Sequence, residues 1–198
     1  MNLSVEIIHS SGEWDALDPA SSNSGAGESL DGVIEAAARS AFTAAAASGA
    51  SSCDGEAPGE MSVVLACDEF VRGLNRRFRG QDKPTNVLSF PVEPFPSAGA
   101  GGEPVPLGDV IVAWETLLRE AEAEGKAPLD HLRHLVIHGT LHLFGFDHQD
   151  DEEAEQMETL EREALARLGV ADPYPETAKK TGAIGGALSR GKNDERNN

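Results

Sequence analysis

At 198 residues the chain is long enough for one domain with a sizeable core, and 34 acidic against 16 basic residues give it a formal net charge of −18. That balance excludes a general nucleic-acid coat, so any polyanionic partner needs a local basic surface. No stretch approaches the length of a membrane span, the N-terminus lacks the charged and apolar regions of a signal peptide, and Cys53 and Cys67 have no CxxC spacing. These features predict a cytoplasmic protein with free thiols and no membrane partner.

Leu3, Val5 and Ile7 alternate with polar residues, which predicts a half-buried strand. A Ser-, Gly- and Ala-rich loop follows at 19–28, then an Ala-rich helix at 30–47 and a second connector at 49–59. Residues 61–66 predict a buried strand. Asp68 is placed to cap the next helix, whose apolar face holds Phe70, Val71 and Leu74. Residues 74–85 are polar and predict a loop. Residues 86–92 predict a strand, with Pro91 pointing to a sheet edge.

The Gly/Pro-rich run 94–106 predicts a surface excursion, followed by a strand at 107–112 and an amphipathic helix at 114–124 ended by Gly125. A helix at 129–144 is apolar enough to lie in the core. A last, acidic helix at 150–168 buries Met157, Leu160, Leu165 and Leu168 and presents its carboxylates to solvent. Residues 177–198 are small and polar, and predict a disordered tail.

The richest stretch is His138 to His148, His-Gly-Thr-Leu-His-Leu-Phe-Gly-Phe-Asp-His. His138 and His142 lie four apart and share one face of a helix. Gly145 can end that helix in the left-handed conformation and let the chain return His148 to the same point. Three imidazoles with an open fourth position describe a catalytic rather than a structural zinc site. His131 and His134 lie upstream and are expected to be exposed non-ligands. The spacing matches the zinc peptidase pattern H-E-x-x-H-x-x-G-x-x-H, but Gly139 stands where those enzymes carry their general base. A second chemical feature is the basic island Arg72, Arg76, Arg77, Arg79 and Lys83, offset only by Asp82 and suited to holding phosphate.

Four blocks in order carry a family likeness: Leu74-Asn75-Arg76-Arg77-Phe78-Arg79, Lys83-Pro84-Thr85-Asn86-Val87-Leu88-Ser89-Phe90-Pro91, Leu107-Gly108-Asp109, and the His138 to His148 motif. Over residues 61–168 the chain resembles the YbeY endoribonuclease (rRNA maturation factor) family, although Asn86 stands where many relatives have Asp. The resemblance implies an α+β fold, one domain over residues 1–170, with a small mixed β-sheet and flanking helices around a central metal-bearing helix. It implies a zinc-dependent, single-strand-specific endoribonuclease acting in 16S rRNA 3′-end maturation and ribosome quality control. Its partners would be single-stranded RNA of the 16S precursor and the small ribosomal subunit.

Carried over residue by residue, the resemblance makes His138, His142 and His148 the ligands of one Zn2+ and gives catalytic importance to Arg79 and His138. Arg76, Arg77 and Lys83 are the candidate RNA contacts. Asp147 is a candidate for orienting an imidazole or accepting a proton, with turn stabilisation as the plainer role. Two rival functions stand beside this one: a non-catalytic ribosome assembly factor with a stabilising metal, and a metallopeptidase.

Overall fold

The computed structural model describes residues 3–21, 28–49, 58–92 and 104–174. Over these the chain runs β1 (Leu3–His9), two 3-10 turns (Trp14–Leu17 and Pro19–Ser21), α1 (Leu30–Ser48), β2 (Gly59–Ala66), α2 (Asp68–Arg79) and β3 (Val87–Pro91). It continues through β4 (Val105–Ala113), α3 (Trp114–Glu124), α4 (Pro128–Leu143) and α5 (Asp151–Arg167). The strands form one four-stranded sheet in the order β1-β2-β4-β3. β1, β2 and β4 are parallel, and β3 runs antiparallel to β4 at the edge. This is the α+β fold with a small mixed sheet expected from the sequence.

Side chains alternate between the faces of a strand, and that period sorts the core into two layers. Met61, Val63 and Leu65 of β2, Val110 and Val112 of β4, and Val87 of β3 join the larger cluster, which α1, α4 and α5 cover. Ala66, Leu88, Ile111 and Ala113 point the other way and pack with Val71 of α2. In α4, Leu132, Val136, Ile137, Leu141 and Leu143 are fully buried, so the histidine-bearing helix is central to the larger layer.

Two close approaches lock the sheet to its surroundings. Gly108 sits at φ +126°, where a Cβ would lie 2.1 Å from the Phe90 carbonyl oxygen. The register with β2 skips Leu107 at this point, a bulge that only glycine can accommodate. At Gly139, in the middle of α4, a Cβ would lie 2.6 Å from Val110 Cγ1 and 3.1 Å from Ser89 Oγ. Helix and sheet touch there, and no larger residue fits without moving one of them.

Several local expectations are corrected. The loop expected over 74–85 begins only at Gly80: α2 continues through Arg79, so Arg72, Arg76, Arg77 and Arg79 are helical and Lys83 lies in the loop. Arginine is a good helix former, and polarity here marks an exposed helix face. Asp68 does not cap its own helix, since Cys67 occupies that position without a side-chain bond. Instead its carboxylate accepts from the Thr116 N–H and hydroxyl, both at 2.9 Å, and so caps the start of α3. Val105 and Pro106, expected in the surface excursion, belong to β4, while 93–103 lie outside the described residues, as do Cys53 and the tail from 177.

Candidate metal centre and its cleft

The end of α4 is a Schellman motif, with the Phe146 N–H donating to the Leu141 carbonyl (3.2 Å) and the Gly145 N–H to that of His142 (3.0 Å). Gly145 takes φ +84°, a conformation that costs a residue with a Cβ about 1–2 kcal/mol. The turn does more than stop the helix: it points the Phe146 carbonyl back at His142, whose Nδ1 donates to it at 2.9 Å. With Nδ1–H so placed, His142 Nε2 carries the free lone pair. Burial, then the charges of His138 and His148, lower its pKa to about 4, so the ring is neutral at physiological pH.

His138 is oriented from a different element. Its Nδ1 lies 2.8 Å from Oε1 of Glu161, on α5. Glu161 is 1 % exposed, and its other oxygen accepts from His134 Nε2 at 2.8 Å and from the Tyr174 hydroxyl. Burial alone would raise this carboxyl, but the hydrogen bonds from His134 and His138 outweigh it and hold it at about 2. Facing an ionised carboxylate, His138 Nδ1 carries a proton and Nε2 is left as the donor atom. Burial and the Glu161 charge raise the Tyr174 phenol, which stays a hydrogen-bond donor.

His138 Nε2 and His142 Nε2 lie 3.1 Å apart. The edge of a tetrahedron built on zinc–nitrogen bonds is about 3.3 Å, so the pair matches two ligands of one ion. Ring nitrogens of His138, His142 and His148 all fall within 4.8 Å of one another, and the three form a group that could hold a metal ion. No fourth His, Cys, Asp or Glu among the described residues joins it. Two imidazoles, each fixed through its far nitrogen, fit a divalent cation with room for a further ligand.

The centre opens into a cleft of about 400 Å³ lined by Arg79, Thr85, Asn86, Val87, Ser89, Asp147 and Gln149 together with the three histidines. The fold thus brings Arg79, at the end of α2, to the histidines of α4 and its turn. Lys83 lines an adjoining cleft of about 270 Å³ that shares Arg79, Thr85 and Asn86 with the first. Arg76 and Arg77 are exposed on α2 and line neither; Arg77 Cζ lies 5.2 Å from the Phe78 ring centroid. Arg72 is tied to Asp82 by two bonds of 2.8 and 3.0 Å. Asp147 accepts from the His148 backbone N–H (2.8 Å) and from Gln149 Nε2 (2.5 Å); the Gln149 bond first, then the backbone N–H, hold its carboxyl below the usual range.

The exposed placement expected for His131 and His134 is wrong. His131 is 4 % exposed and bonds Glu120 Oε2 at 2.9 Å, and the same oxygen accepts from Asn86 Nδ2 at 3.0 Å. His134 shares Glu161 with His138. The solvated acidic face assigned to α5 holds for Asp151, Glu152, Glu153, Glu155 and Glu163, but Glu161 turns inward. Its signal was present: Met157, Glu161 and Leu165 are spaced by four, which sets a carboxylate inside the apolar stripe.

Comparison with known proteins gives the chain its family. The chain matches the family described as Endoribonuclease YbeY over residues 28–169. It is 58 % identical over 174 residues to the Endoribonuclease YbeY of Azorhizobium caulinodans, covering 87 % of this chain and 96 % of that one. It is 48 % identical over 170 residues to that of Rhodospirillum rubrum, covering 82 % and 77 %. The solution structure of TM1509 from Thermotoga maritima is similar at a TM-score of 0.46 and 23 % identity, over 85 % of this chain and 97 % of that one. With the family matched over residues 28–169 and relatives of that name 58 % and 48 % identical over most of the chain's length, the protein belongs to the YbeY endoribonuclease family.

Proposed function

We propose that the protein is a zinc-dependent endoribonuclease that cuts single-stranded RNA, with the 16S rRNA precursor on the small ribosomal subunit as its substrate in 3′-end maturation and ribosome quality control. Family membership supports the reaction class. The observation that carries the site is the meeting of three imidazoles and Arg79 in one cleft.

A zinc ion held by His138, His142 and His148 would supply a Lewis acid for a phosphoryl oxygen and lower the pKa of a water toward neutrality. The residues around it divide the remaining work. Glu161 and the Phe146 carbonyl fix the two helical imidazoles through Nδ1, so that their lone pairs converge. Arg79 offers guanidinium donors to the phosphodiester and to the negative charge that builds up on it in the transition state. Asp147, engaged through both oxygens and held well ionised, is a poor proton acceptor and serves to shape the turn that bears His148.

A peptidase reading loses its physical basis at Gly139. The general base of those enzymes would need a side chain where Val110 and Ser89 already leave no room for a Cβ. The test is cleavage by the zinc-loaded protein of single-stranded RNA, the same RNA annealed to its complement, and casein. Cutting of the single strand alone is expected, with Arg79→Glu slowing it by about 100-fold or more while zinc content stays at the parental level. Equal cutting of duplex, digestion of casein, or an undiminished Arg79→Glu rate would each overturn the assignment it addresses.

A further inference from the structure

Helix α2 carries two exposed aromatic residues that the core does not use. Phe70 is 44 % exposed and Phe78 is 57 % exposed. With Leu74 between them they are spaced by four and share one helix face. Their surroundings have opposite charge. Phe70 follows Asp68 and Glu69 in the first turn, whereas Phe78 sits among Arg76, Arg77 and Arg79 in the last. Arg77 lies over the Phe78 ring, and the Phe90 ring meets it edge-on at 5.1 Å between centroids. Among the described residues, Arg76, Arg77 and Arg79 have no ion-pair partner.

The position of this pair relative to the metal cleft is set by the backbone. Arg79, the neighbour of Phe78, lines the cleft, and so does Ser89, the neighbour of Phe90. Ser89 donates to the Gly139 carbonyl on the α4 side of β3, while Phe90 packs with the α2-side cluster. Because β3 is the edge strand, the aromatic pair and the metal centre lie on opposite faces of one exposed edge.

We propose that Phe78, backed by Phe90 and flanked by Arg76 and Arg77, is a stacking platform for an unpaired base of the RNA strand that crosses this edge into the metal cleft. The proposal rests on the ribonuclease reading and adds how the strand is held. With Arg77 over one face of the exposed ring, a base would take the other while the arginines give the backbone its counter-charge, a combination that binds single strands with little regard to sequence. A base already stacked in a duplex cannot use the ring, so the platform favours single strands. On a chain of net charge −18 a polyanion is repelled from most of the surface, which leaves the arginine-rich end of α2 as the approach. A docking protein that covered an apolar stripe would use Phe70 as well; RNA would avoid it beside two carboxylates.

The test measures anisotropy with a labelled single-stranded RNA oligomer, and KM and kcat for its cleavage, on the zinc-loaded full chain and on Phe78→Ala, Phe78→Trp and Phe70→Ala. Phe78→Ala is expected to raise Kd and KM by about 5- to 100-fold with kcat little changed. Phe78→Trp is expected to restore or tighten binding, and Phe70→Ala to match the parent. A parental KM for Phe78→Ala in a protein that does cleave RNA would overturn the platform and leave the ribonuclease standing. Equal weakening by Phe70→Ala would mean a general apolar docking stripe and would also overturn it. A parent chain that neither binds nor cleaves would instead remove the ribonuclease reading on which the platform depends.

Discussion

Glu161 is the residue on which the geometry of the centre turns. It is a buried carboxylate with three hydrogen-bonding neighbours, and it fixes which nitrogen of His138 faces the cleft. Partners of this kind typically set metal affinity by about 10- to 100-fold. Glu161→Gln keeps the volume but loses the charge that holds the Nδ1 proton, so zinc affinity measured by competition with a chromogenic chelator is expected to fall in that range. Unchanged affinity would show that His138 is oriented without it. The histidine trio was legible in the sequence because its spacing is local: one helical turn and one glycine suffice to bring the rings together. Glu161 was not, because its histidine partners lie more than twenty residues upstream, and only the packing of α5 on α4 brings them into contact. The inward carboxylate in an apolar stripe was the one local sign.

At the scale of elements, the turn after α4 joins folding to chemistry. The bonds that stop the helix also supply the carbonyl that orients His142. Gly145→Ala strains a φ of +84° and should cost about 1–2 kcal/mol, which lowers the melting temperature by about 2–8 °C. Zinc affinity should fall with it as the Phe146 carbonyl shifts. Parental values of both would mean that the turn tolerates a Cβ and that the carbonyl is dispensable. Strands and helices with clean periodicity, such as β2 and α3, were legible within two residues at their ends. The second half of α2 was not. After Leu74 the apolar stripe continues only in the exposed Phe78, set among arginines, and Asn75, which looks like a loop residue, is buried and donates to the Lys83 carbonyl at 2.8 Å. Tertiary context overrode a polar stretch that contained no strong breaker before Gly80.

For the molecule as a whole, a neutral imidazole at His142 and an ionised buried carboxylate at Glu161 make stability sensitive to acid. The metal-free chain holds His142 near 4, below its ordinary 6.5, so the unfolded chain takes up that proton first. The stability present above 6.5 is lost as pH falls toward 4. Glu161, held near 2 against an ordinary 4.5, extends the loss below 4.5. Thermal unfolding of the chelated protein is expected to show a melting temperature that declines steadily from pH 7.5 to 4; a flat profile would mean that these groups titrate freely in the fold. The overall charge acts in the same structure at longer range, because against a net charge of −18 three arginines, Arg76, Arg77 and Arg79, share the last turn of α2, where Arg79 lines the cleft.

Zinc content and single-stranded RNA cleavage, measured on the same samples of parent and His142→Ala before chelation, after it and after zinc is returned, test the shared metal centre most directly. The expected result is one zinc per parent chain, with cleavage that vanishes and recovers in step with it, and a variant that neither retains zinc nor regains cleavage. Full cleavage by the metal-free parent, or full zinc occupancy in His142→Ala, would contradict it.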